Sequence, residues 1–150
     1  MINNIKSIPF MTQNNGVSFT SSFMRNKELD ELIQDTNNID LQSFCDTLEL
    51  LKEDGKNEMY FLKEGTYKVP GYACSIESRT EAPEMVLYKR NMETMETKKV
   101  DSIVIGGFLL GTYTKDVIAE VTRILRRNSD FIQSKAFRSN VLEKLNSIVE

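Results

Sequence analysis

The chain has 150 residues, 40% of them hydrophobic, with 19 basic against 22 acidic side chains and no histidine. That length makes one domain able to bury roughly 70% of its unfolded surface, and a net charge of −3 is far from that of a polycationic nucleic-acid binder. The missing histidine excludes Ser-His-Asp and Cys-His nucleophiles, histidine general bases and histidine-ligated metals together.

The first 25 residues are rich in Asn, Ser and Thr but keep spaced apolar anchors at Ile8, Phe10, Phe19 and Phe23. Asn15-Gly16 is a strong type I′ hairpin signal, because both central positions of that turn need positive φ. Residues 1–25 are therefore expected to form a β-hairpin or, alternatively, an extended arm that docks its phenylalanines on a neighbouring subunit. They lack a continuous apolar stretch of the kind a secretory signal carries. No apolar run reaches the roughly 18 residues that a membrane span needs. Two cysteines far apart, Cys45 and Cys74, make no disulfide framework and no four-ligand zinc site. Reduced thiols in a cytoplasmic setting are the expectation.

Residues 26–150 read as a single α+β domain. Asn26 is placed to cap a helix with Leu29, Leu32 and Ile33 on one face. A second helix over residues 39–54 carries Leu41, Phe44, Cys45, Leu48 and Leu51 as a 3.6-period stripe and ends at Gly55. Cys45 lies inside that stripe, which marks it as a core thiol.

From Glu58 the period changes. Runs at 59–63, 66–69, 72–78, 84–90 and 99–105 are separated by turn chemistry such as Glu64-Gly65 and Pro70-Gly71, and they predict a four-stranded antiparallel meander. Beyond Thr114, Val117, Ile118, Val121, Ile124 and Leu125 define one apolar helical face. Asn128-Ser129-Asp130 restarts the chain as a further helix, with Phe131, Phe137, Val141, Leu142, Leu145 and Ile148 mostly on one side. Asn140 and Glu143 resemble a capping box, so a break near Ser139 is expected. The fold expected is thus an N-terminal hairpin or arm, two helices, the meander, and two to three C-terminal helices packed on the sheet.

Three patterns are candidates for chemistry. Gly106-Gly107 to Gly111 has the glycine spacing of a phosphate loop, but Thr112 and Tyr113 stand where such a loop needs Lys and Ser or Thr. A structural bend that lets residues 108–110 and the next helix close over the sheet fits better. Glu84 with Glu96 and Lys98 mimics the carboxylate pair and lysine of a divalent-metal nuclease, and Glu77, Glu81 and Asp101 could join it. Arg123, Arg126, Arg127, Lys135 and Arg138 form the densest basic stretch, suited to phosphates, yet Asp116, Glu120 and Asp130 interleave with it.

No pattern supplies a catalytic set, a cofactor site or a metal site. The leading expectation is a non-catalytic protein acting by protein–protein contact or self-association, as an assembly subunit or an inhibitor-type binder anchored by Ile8, Phe10, Phe19 and Phe23. Nucleic-acid binding through the four arginines is the alternative, a carboxylate and divalent-metal enzyme the third, and no membrane partner is expected. The Asn-, Lys- and Met-rich texture resembles that of chains from AT-rich bacterial or phage genomes.

Overall fold

The structure, a computed structural model, describes residues 22–68, 81–106 and 111–149. They form an α+β arrangement: α1 (Lys27–Asp35), α2 (Asn38–Asp54), β1 (Glu58–Lys68), β2 (Glu81–Asn91), β3 (Thr97–Val104), a 3-10 turn (Thr114–Asp116), α3 (Val117–Arg127) and α4 (Asp130–Val149). The strands make one antiparallel sheet in the order β1-β2-β3.

Capping chemistry sets the first two helices where the sequence places them. The Asn26 side chain accepts from the Leu29 amide at 3.0 Å and donates to the Leu62 carbonyl at 2.8 Å, so one residue both starts α1 and ties it to β1. Asn37 caps α2 through the Asp40 amide, and Gly55 closes it in the left-handed conformation at φ 77°. The stripe of α2 turns inward: Phe44, Cys45 and Leu48 are buried, with Leu41 and Leu51 packed at the edge of the core.

Three strands are present among the described residues, and the first of them departs from expectation at Gly65. Glu64-Gly65 is no turn; β1 runs straight through it, with Gly65 paired to Glu84. A Cβ at Gly65 would stand 3.2 Å from Val86 Cγ2, so this glycine admits a close cross-strand approach. Two expected short strands thereby merge into one of 11 residues. The run expected at 72–78 lies outside the described residues, as does the hairpin or arm up to residue 21.

The core sits between one face of the sheet and the helices. Tyr60, Leu62, Met85, Leu87 and Ile103 line the sheet side; Leu29, Leu32, Phe44, Val117, Ile118, Val121 and Leu125 fill in from α1, α2 and α3. A bulge opposite Leu87 and Tyr88 lets β3 follow the sheet's twist. At the far end of β3 the chain returns on itself. The Thr112 amide donates to the Val104 carbonyl at 2.7 Å, and the Gly106 amide donates to the Thr112 carbonyl at 3.0 Å. Gly111 makes that return possible: its φ is +101°, and a Cβ there would lie 2.5 Å from the Val104 carbonyl oxygen. The expected burial of Val117, Ile118, Val121 and Leu125 is complete.

The last helix differs from expectation. It is one unbroken helix through Ser139, and beyond its first turns it leaves the sheet and the core. Asn140 and Glu143 stand in its middle and cap nothing.

Candidate protein interface

α4 begins firmly. The Ser129 hydroxyl accepts from the Ile132 amide at 3.2 Å, Asp130 suits the positive end of the helix dipole, and Ile132 is buried. The Gln133 side chain donates to the Arg126 carbonyl at 2.9 Å, and Lys135 Nζ lies 2.8 Å from both Glu53 carboxylate oxygens on α2. From residue 133 to 148 every position is exposed. At 100° per residue, Phe137, Val141, Leu142, Leu145 and Ile148 fall within an arc of about 140°. Phe137 is 68% exposed and Ile148 77%. Between residues 133 and 148 only Ser134 and Arg138 interrupt this arc. Five large side chains so exposed present on the order of 500 Å² of apolar surface around Arg138, a patch of the size that often serves as a contact site.

Among the four N-terminal anchors read from the sequence, Phe23 is fully buried in its own chain. Its ring meets Phe44 edge-on at 5.4 Å and stacks on Tyr60 at 6.4 Å. Residues 22 and 24 flank β1 through two 2.8 Å backbone bonds with Tyr60. Phe23 is therefore a core residue rather than an exposed anchor. Alternation and spacing alone cannot separate the two roles, because both demand an apolar side chain on an extended segment. Ile8, Phe10 and Phe19 lie outside the described residues.

The four arginines do not converge on one surface. Arg123 pairs with Glu120, and Arg127 reaches Asp101 on β3 at 3.1 Å. Arg126 stands in the last turn of α3, where a cation suits the helix dipole, and Arg138 stands alone on the arc of α4.

The carboxylates are dispersed as well. Glu84 pairs with Val104 at one end of the sheet, whereas Lys98 pairs with Lys89 five residues along β2, roughly 17 Å away at 3.3 Å per residue. Glu96 sits in the turn between β2 and β3. Among the described residues, no group of three His, Cys, Asp or Glu is close enough to hold a metal ion. In the glycine stretch, the amides of Gly106 and Thr112 are already bonded to backbone carbonyls; residues 107–110 lie outside the described residues.

A cleft of about 40 Å³ opens between Ser22, Tyr60, Glu58, Lys89 and Ser129. It has room for a few waters, not for a substrate. Burial, then the nearby charges of Glu58 and Asp54, push the Tyr60 phenol up to about 12. It stays protonated and cannot act as a base near neutral pH. Burial also pushes the Cys45 thiol up to about 11, helped by Asp46 and Glu49, which makes it a poor nucleophile. No helix among the described residues is long and apolar enough to cross a membrane. Comparison with protein-family models, curated proteins and solved structures returned no match.

The sequence reading found the apolar residues of α4 but assigned them to the sheet. The signal against that assignment is Arg138, a charge near the centre of the apolar side. Burying it unpaired in a core costs several kcal/mol.

Proposed function

We propose that the protein acts without catalysis, by protein–protein contact, as an assembly subunit or an inhibitor-type binder, and that the exposed face of α4 is a contact surface. The observation that carries this reading is the apolar arc of Phe137, Val141, Leu142, Leu145 and Ile148, left uncovered on a helix whose root is capped and ion-paired to α2. An exposed apolar patch of this size on a held helix supports docking of another apolar surface. Ile8, Phe10 and Phe19 belong to the same reading as a second set of anchors.

The test is the native mass of the protein isolated from its source. The wild-type chain is expected in an assembly heavier than one copy, and the double variant Leu142→Glu, Leu145→Glu is expected at the mass of a single chain. A wild-type chain that is monomeric when isolated in this way, with or without the double substitution, overturns the reading.

A further inference from the structure

The contact surface of α4 has a shape that identifies its occupant. Resting on the reading above, we infer that the partner is a second copy of this chain, with the two α4 helices packed antiparallel about a two-fold axis near residue 143.

The centre line of the arc runs Ser134, Arg138, Val141, Leu145, Ile148, with spacings of four, three, four and three residues. That is the seam of a helix pair. An antiparallel register about residue 143 sets Val141 against Leu145 of the partner subunit, and the reverse, so each copy meets its own pattern. Phe137 and Leu142 border the seam. Exposed in one copy, these five residues are the apolar surface that such a pair covers. Two copies together bury about 1,000 Å², the lower bound for specific association.

Arg138 selects the orientation. In a parallel pair the two Arg138 side chains would face each other across the seam. In the antiparallel pair they stand about 15 Å apart along the axis, ten residues at 1.5 Å each, beyond the screening length of about 8 Å at physiological salt. The antiparallel register also brings each Arg138 to the last helical turn of the other α4. There the backbone carbonyls lack helical donors and the dipole is negative, so a cation is favoured. Among the described residues no carboxylate pairs with Arg138 within its own chain. The residues one turn from Arg138 on α4 are Ser134, Lys135, Val141 and Leu142, none of them acidic; Asp130 lies two turns away, about 12 Å along the axis, and Glu143 is on the far side of the helix. The same charge that keeps this face out of the chain's own core thus has a place in the pair.

Sedimentation equilibrium of the purified full-length chain tests the inference without any other protein present. The wild type is expected to dimerise in the micromolar range. Leu145→Glu is expected to weaken the dimer at least 100-fold, and Arg138→Glu about tenfold. Asn140→Glu, on the opposite face, is expected to leave it unchanged. The body's thermal melting serves as the check that each variant folds, since none of these positions touches the core. Orientation is read by spin labels on Ser134→Cys, with Cys74 replaced by serine and Cys45 protected by burial. The labels are expected about 27 Å apart along the axis in the antiparallel pair; a separation near the helix–helix spacing of about 10 Å means a parallel pair and overturns it. A wild-type chain that remains monomeric at 100 µM overturns the inference. It leaves the broader contact reading to the native mass from the source, where a heavier assembly lost in the double variant would then mean a different partner.

Discussion

α3 and α4 are neighbours in sequence and both carry large apolar side chains, yet the fold treats them oppositely. Every apolar residue on the face of α3, from Val117 to Leu125, is buried to 3% exposure or less, whereas on α4 the corresponding residues range from 38% to 77% exposed. Hydrophobic content does not explain this, since α4 offers larger side chains. Two features do. The apolar arc of α3 contains no charge, and its arginines lie off that arc, with Arg123 paired to Glu120 and Arg127 to Asp101. The arc of α4 has Arg138 at its centre, and no carboxylate of the body is placed to receive it. A helix enters a core only if the whole of its arc can be desolvated. α3 meets that condition and α4 does not.

The largest expected effect separates the two helices directly. Leu125→Ala should destabilise the domain by about 3–4 kcal/mol, the lost transfer energy plus an unfilled cavity. Leu145→Ala, an equally long truncation, should change the stability of the dilute chain by less than about 0.5 kcal/mol. Urea unfolding followed by circular dichroism reads both. At high protein concentration Leu145→Ala should become destabilising, because pairing of α4 stabilises the folded state by mass action. A large loss at Leu145 in dilute solution would mean that α4 packs on the body after all.

Gly111→Ala ranks next. It forces a side chain into a positive-φ position and drives Cβ against the backbone at the end of β3, which holds the approach to α3. About 2–3 kcal/mol should be lost. The loss should appear in the amides of α3 as faster hydrogen exchange, with those at the far end of α4 unchanged.

The parts of this fold that were legible in the sequence are those specified locally. Asn26 and Gly55 are caps whose chemistry acts within a few residues, and the stripes of α2 and α3 repeat at the helical period. The continuity of β1 was not legible, because Glu64-Gly65 has the composition of a turn. Its role depends on Glu84 and Val86 across the sheet, which local chemistry cannot reveal. Phe23 was misplaced for the same reason: an apolar residue on an extended segment looks alike whether it docks on Phe44 of its own chain or on another molecule. The arc of α4 was visible, but its destination turned on one residue. Arg138 falls on the apolar side at the helical period, and its weight against burial emerges only when no partner for it is found in the body.

Alkaline pH should act on the body alone. Cys45 rises from an ordinary 9.0 to about 11 and Tyr60 from 10.0 to about 12 on folding, burial being the main cause for each. Both lose a proton to become anions, so the unfolded chain deprotonates first and gains on the folded one as pH rises. Stability is therefore fully present below pH 9, begins to fall as Cys45 of the unfolded chain ionises, and continues to fall through pH 12. About 2 kcal/mol should be lost by pH 10.5. Thermal melts between pH 8 and 10.5 measure it, and in Cys45→Ala the decline should start a full unit higher, with Tyr60 alone. A flat profile over this range would show that neither group is held neutral by the core.

The smallest effect concerns the tie between the two regions. Lys135 lies over the ring of Phe131 at 5.6 Å and pairs with Glu53, and both charged side chains are about half exposed. Water and salt screen such a pair, so Lys135→Ala should lower global stability by less than about 1 kcal/mol. Its local consequence should be clearer. Past residue 133 nothing in the body covers α4, and a lone helix of this length is marginal in water. The exchange of its amides should thus be faster than that of α3 by orders of magnitude in the dilute chain. Lys135→Ala should speed the amides around residues 134–137 a few-fold more, as should raising salt to 1 M in the wild type, whereas the amides of α3 should respond to neither. Equal protection of α3 and α4 in the dilute chain would erase the distinction between them.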